Sequence, residues 1–294
     1  MAHVTHEFGG QHTEIKLAII ESYLKAYTTA LRNKFRELWY IDAFAGTGSR
    51  TTRTVSRGDG IFDERPVEVI DHRRGSAQIA IGIQPKFDRL VFIEKNPAYC
   101  AELRRLKALY KDRDIAVIEG DANDSIQKQI AWDGWRFARG VCFLDPYGME
   151  VEWATLEAIA KTKAIDVWFL FPLSGLYRQA TRSFADIDAS KRAALTRMFG
   201  SEQWINELYR GEHKNDLFGG TFEIVRSADV AGLERYVQSR LATIFPKVLK
   251  PLALPIGKKP QRFSLFLCIS NSDPKAVGLA TKIGNHILKA GISS

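Results

Sequence analysis

The sequence has 294 residues, 45% hydrophobic and 26% charged, the balance of a folded protein with enough chain for one large α/β domain or two ordinary ones. No apolar run reaches the length of a membrane span, the N-terminus lacks a signal-peptide core, and Cys100, Cys142 and Cys268 show no CxxC spacing; the chain reads as cytoplasmic, with no membrane contact, disulfide framework or metal site. The net charge of +8 is uneven: residues 246–294 hold eight bases against one acid, which suits a phosphate-binding surface as well as a solvated basic face.

In chain order, Ile15, Ile19, Tyr23 and Tyr27 recur at helical spacing and predict an N-terminal helix over residues 12–33. Leu38-Trp39-Tyr40-Ile41-Asp42 is an apolar run that stops at a carboxylate, followed at once by Ala43-Phe44-Ala45-Gly46-Thr47-Gly48. That order reads as the first strand and ligand loop of a doubly wound sheet, although two glycines after a strand serve a plain turn equally well. Residues 50–74 carry no sustained apolar period and read as a lid-like insertion rather than core. A helix resumes near Gly75. The second strand, residues 89–94, ends in Glu94, and Asn96 and Pro97 suit the start of a helix running to Tyr110.

The third strand, residues 115–119, leads into Gly120 and Asp121, and the fourth, residues 140–144, ends in Asp145-Pro146-Tyr147-Gly148. The fifth spans residues 165–171. No comparable run follows until the end of the chain, so residues 173–245 read as a helical insertion. Residues 248–255 and 263–269 then flank Gly257-Lys258-Lys259-Pro260 as a closing hairpin, and a helix over residues 274–288 ends the chain. Apolar runs alternating with helical stretches are what a parallel sheet covered on both faces produces.

Asp42, Glu94, Asp121 and Asp145 each stand just past one of four successive strands, which a doubly wound sheet brings to one edge. Carboxylates gathered there repel one another unless a ligand or donor satisfies them. The pattern resembles the class I S-adenosylmethionine-dependent methyltransferases. The resemblance implies a single α/β domain over residues 1–294, with a Rossmann-like sheet of five parallel strands and a closing reversed hairpin. It further implies that Asp42, Phe44, Gly46 and Gly48 meet the methionine part of the cofactor, Glu94 the ribose hydroxyls and Asp121 the adenine amine. The 52 residues from Asp42 to Glu94 exceed the usual spacing of about 20, and the insertion over residues 50–74 accounts for most of the excess. A nicotinamide dehydrogenase is the alternative, but the chain lacks its GxGxxG.

More narrowly, the chain resembles the three-Cys-motif partner family of bacteria and phages. The likeness lies in His12-Thr13-Glu14-Ile15-Lys16, residues 41–48, Gly75-Ser76-Ala77, Phe92-Ile93-Glu94, residues 143–148 and residues 198–204. It departs at Thr47 and Ala77, where proline is usual. The cysteines of that family's name belong to its partner, so a three-Cys-motif protein is an implied partner and the cysteines here are not the motif. The likeness also implies substrate roles for His12 and Lys16, which otherwise read as a helix-surface pair.

Asp145-Pro146-Tyr147 is similar to the Asp-Pro-Pro-Tyr loop of amino-group methyltransferases acting on nucleic-acid bases, with one proline missing. That likeness implies that Asp145 and the Pro146 carbonyl accept hydrogen bonds from a target amine while Tyr147 stacks on the base. The same four residues also make a good turn. Arg178 and neighbouring arginines in the insertion suit phosphate contacts or open solvent. The sequence therefore supports methylation of a base nitrogen in nucleic acid, with a non-catalytic or cofactor-binding partner subunit as the rival and a methyltransferase acting on protein or a small molecule as the third reading.

Overall fold

The computed structural model of the chain describes residues 11–56, 67–216 and 219–293. It opens with α1 (Gln11–Leu31) and β1 (Glu37–Asp42), then a hairpin of β2 (Ser49–Ser56) and β3 (Val67–Arg74), and α2 (Ser76–Gly82). Strands and helices then alternate through β4 (Arg89–Glu94), α3 (Pro97–Leu109), β5 (Ile115–Glu119), α4 (Ala122–Ile130), β6 (Ala138–Leu144), α5 (Trp153–Lys161) and β7 (Ile165–Phe171). Next come α6 (Leu173–Gln179), α7 (Ala189–Phe199), α8 (Gln203–Leu208), a second hairpin of β8 (Tyr209–Asp216) and β9 (Gly219–Arg226), and α9 (Val230–Leu241). The chain closes with β10 (Lys247–Val248), β11 (Leu252–Leu254), β12 (Phe263–Ile269) and α10 (Pro274–Ser293).

The central sheet runs in the order β10-β12-β7-β6-β1-β4-β5, with β11 also pairing β12. β1, β4, β5, β6 and β7 are mutually parallel, and β12 lies antiparallel to β7. This is the expected arrangement of five parallel strands and a reversed closing hairpin. Successive side chains of a strand face opposite sides, so β1 sends Trp39 and Ile41 into one core layer and Leu38 and Tyr40 into the other. The first layer packs under α4, α5 and α9; the second packs under α1, α2, α3 and α10. Fully buried side chains such as Phe92 and Phe143 each contribute about 1.5–3 kcal/mol through burial. Cys100, Cys142 and Cys268 are buried free thiols within these layers.

Two expectations change. Residues 173–245 are not helices alone, because β8 and β9 pair antiparallel from Tyr209↔Arg226 to Asp216↔Gly219. A two-stranded ribbon outside the main sheet buries little, so its strands lack the apolar run that betrays a core strand. Residues 50–74, read as irregular, contain most of the β2–β3 hairpin, paired from Ser49↔Arg74 to Ser56↔Val67. Residues 57–66, where the tip of the expected lid falls, lie outside the described residues. Among the described residues no helix is long and apolar enough to cross a membrane.

Candidate active site

The parallel register places the ends of β1, β4 and β6 side by side, with Asp42 level with Phe92 and with Phe143. Loops leaving these strands therefore converge on one edge, where open α/β sheets bind ligands. The edge holds a cleft of about 680 Å³ walled by Phe44, Glu94, Tyr99, Asp121, Tyr147 and Met149.

Glu94 is buried and held at both carboxylate oxygens. The Gly46 amide donates to Oε2 at 2.9 Å and the Asn96 amide to Oε1 at 2.8 Å. Gly46 has φ +59° and Gly48 φ +74°, the left-handed conformation that turns the loop back toward β4. A carboxylate oxygen accepts two hydrogen bonds, so each Glu94 oxygen keeps capacity for an incoming hydroxyl. Asp121 caps α4 through Oδ1, which accepts from the Asn123 and Asp124 amides. The residue itself is exposed and walls the cleft. Asn123, in contrast, spends both ends of its amide on Glu150, Glu152 and Thr155, and so braces the wall rather than facing a ligand.

Asp42 and Gly48 are buried beneath the loop and do not wall the cleft. The Asp42 carboxyl is raised to about 7, by burial first and by the Asp145 charge, against hydrogen bonds from Ser76 and the Phe44 amide and the Lys16 charge. Lys16 on α1 is buried, forms an ion pair with Asp145, and sits 5.8 Å from the centre of the Phe143 ring. Asp42, Lys16 and Asp145 thus form one charged group under the cleft floor. Pro146 is buried, whereas Tyr147 is 77% exposed at the cleft wall. Burial, together with Tyr99 and the carboxylates of Glu94, Asp145 and Glu150, raises the Tyr147 phenol above its ordinary pKa.

The remaining predicted residues fall elsewhere. Arg178 is exposed on α6 and does not wall the cleft, and the His12 side chain lies outside the described residues. Arg197 of α7 does reach the cleft, where it lies 3.8 Å from Glu152. Tyr99, Met149 and Arg197 carried no spacing signal that sets them apart in the sequence; only the packing of α3, the β6 loop and α7 brings them here.

The sheet is Rossmann-like, five parallel strands closed by a reversed hairpin. Solved structures to which the chain is similar include the Legionella pneumophila protein LPL1258, at 16% identity and TM-score 0.42, covering 81% of this chain and 93% of that one. Others are an S-adenosylmethionine-dependent methyltransferase from Clostridium acetobutylicum (10%, TM-score 0.35, 85% and 91%) and a methyltransferase from Geobacter sulfurreducens (14%, TM-score 0.33, 74% and 80%). No family profile and no curated protein matches the chain. Overlaps this loose transfer neither a residue role nor a substrate.

Proposed function

We propose that the protein is an S-adenosylmethionine-dependent methyltransferase acting on an amino nitrogen of a nucleic-acid base. The observation that carries this reading is the Lys16–Asp145 ion pair set beneath an exposed Tyr147, beside a cleft whose donors and acceptors suit the cofactor.

The residues fit that cofactor in kind and order. Glu94 retains acceptor capacity for two vicinal hydroxyls, Asp121 offers an exposed carboxylate to an exocyclic amine, and Phe44 supplies an apolar wall between them. The bound cofactor supplies an electrophilic methyl group. On the protein side, Asp145 accepts a hydrogen bond from the target amine and so aims the nitrogen lone pair. Lys16 fixes Asp145 in place through their ion pair. Tyr147 offers its ring to a base drawn out of its stack, beside the part-exposed carboxylate of Asp145.

Calorimetry with S-adenosylmethionine, followed by mass spectrometry of RNA and DNA incubated with methyl-labelled cofactor, tests the reading. The expected result is binding, plus label on a base nitrogen that disappears in Asp145→Ala. Cofactor binding without label in any nucleic acid overturns it in favour of a partner subunit of a three-Cys-motif protein, the relation that the likeness of residues 12–16 and 143–148 to that family supports. Absence of cofactor binding overturns the methyltransferase reading outright.

A further inference from the structure

Three chain segments that are remote in sequence meet on one flank of the candidate site. α6 follows β7 directly at the carboxyl edge, and its Gly175 lies against the loop bearing Tyr147: a Cβ there would stand 3.6 Å from Met149. β12 runs antiparallel to β7, with Ser264 level with Phe171, so the turn before β12 returns to this same edge. The Ser174 amide donates to the Arg262 carbonyl at 2.9 Å and ties that turn to α6. The third segment is the β8–β9 ribbon, joined to the chain after α6 by the Ser183↔Val225 bridge and by the Arg226 amide, which donates to the Arg182 carbonyl at 2.7 Å.

One face of the ribbon is buried at its base, where Tyr209 packs on Phe184, and exposed beyond it. Directly opposed residues share a face, so the pairs Tyr209↔Arg226, Gly211↔Ile224 and His213↔Phe222 line a single side. The Arg226 guanidinium lies 3.9 Å from the centre of the Tyr177 ring and donates to the Tyr177 and Ala180 carbonyls, which locks that ring in place. His213 packs on Phe222 at 5.0 Å, and Phe222 lies over Gly211, where any Cβ would come within 2.5 Å of the ring. Tyr177 is 47% exposed, Phe222 62% and Ile224 43%. Together with Tyr147 they make up four of the eight large apolar side chains exposed among the described residues, so the apolar surface is gathered here rather than scattered.

Cations frame this row. Arg178 and Arg182 stand exposed beside it, and Lys258, Lys259 and Arg262 stand exposed on the tethered turn. Rings and cations in one track match the phosphates and bases of an unpaired strand, whereas a protein partner for an apolar ribbon does not require a frame of bases.

We propose that this flank, from Tyr147 along α6 and the β11–β12 turn to the β8–β9 ribbon, binds a single strand of nucleic acid on either side of the target base. Bases stack on Tyr177 and Phe222, and phosphates pair with the basic turn. The proposal rests on the nucleic-acid reading above and names the form of the substrate: an unpaired strand.

The test is fluorescence anisotropy of the full chain with labelled 20-nucleotide single-stranded DNA, single-stranded RNA and the matching duplexes, at two salt concentrations. The wild type should bind one of the single strands more tightly than any duplex, and more weakly as salt rises. Phe222→Ser with Ile224→Ser should weaken binding about tenfold, the scale of losing one stacked base, with cofactor affinity unchanged. Lys259→Glu with Arg262→Glu should weaken it as well and flatten the salt dependence. This second pair changes exposed turn residues, so it decides the matter if the ribbon variant folds poorly. If the wild type labels nucleic acid and both variants bind as it does, the flank assignment fails while the methyltransferase reading stands. Tighter binding to duplex overturns the single-strand claim. Cofactor binding with no nucleic-acid binding at low salt overturns this proposal and the nucleic-acid substrate together, and leaves a protein as the ribbon's partner.

Discussion

Lys16 and Asp145, 129 residues apart, form an ion pair that leaves little of the lysine in contact with solvent. Removing one partner strands the other charge in a partly desolvated place, which costs more than an exposed pair is worth. Lys16→Met should therefore lower methyl transfer about tenfold or more while leaving cofactor affinity within about threefold, because the lysine touches Asp145 and not the cleft. Single-turnover transfer assays beside calorimetry separate the two effects. Asp42 makes a second, pH-dependent contribution. Its folded-state pKa, raised by burial to about 7, lies above the unfolded value, and that of Asp166, raised by burial to about 6, does the same. The native state then holds the extra protons, so stability from these groups is full below about pH 4, falls as the pH rises and is lost above about pH 7. Melting temperatures across that range should fall in the wild type and fall less in Asp42→Asn.

At the scale of elements, the loop between β1 and β2 is shaped by two glycines with different demands. Gly48 has φ +74°, and a Cβ there would meet Leu106 at 3.0 Å and Leu103 at 3.1 Å, so Gly48→Ala combines backbone strain with crowding. It should cost about 1–3 kcal/mol of unfolding free energy in urea titrations. Gly46 has φ +59° and open space around it, so Gly46→Ala should cost only about 1–2 kcal/mol from the left-handed backbone. Because the Gly46 amide also holds Glu94, that variant should weaken cofactor binding as well. The two hairpins matter differently. β2–β3 departs from this loop, whereas β8–β9 is tied to the chain after α6.

For the whole molecule, a ligand that binds only the folded state stabilises it by mass action. S-adenosylmethionine at a hundred times its Kd should add about 2.7 kcal/mol, visible as an upward shift of the melting temperature. Glu94→Gln should shrink that shift by weakening the hydroxyl contacts, and should also lower the apo melting temperature, since the glutamine NH2 faces one of the two backbone N–H groups that the carboxylate accepts from. Loss of the shift in a well-folded Glu94→Gln protein places the cofactor in this cleft, and an unchanged shift places it elsewhere.

The sheet and its edge were legible in the amino-acid sequence because buried parallel strands must be continuously apolar, and four of the five such runs here stop at or just before an acid: Asp42, Glu94, Asp121 and Asp145. The helix caps were legible for the same local reason, with Asn96 and Pro97 opening α3 as their chemistry requires. The β8–β9 ribbon was not, since Arg210-Gly211-Glu212-His213 buries almost nothing and leaves no periodic trace. Nor did local sequence show that Lys16 meets Asp145, that Asp42 is sealed beneath its own loop, or that Tyr99 and Arg197 wall the cleft. The bases of the closing turn likewise meet α6 only in the fold, where the Ser174 amide donates to the Arg262 carbonyl. Sequence determines what each segment must bury over a few residues, but which side chains of remote segments meet depends on strand order and helix packing, and those are settled by the whole molecule at once.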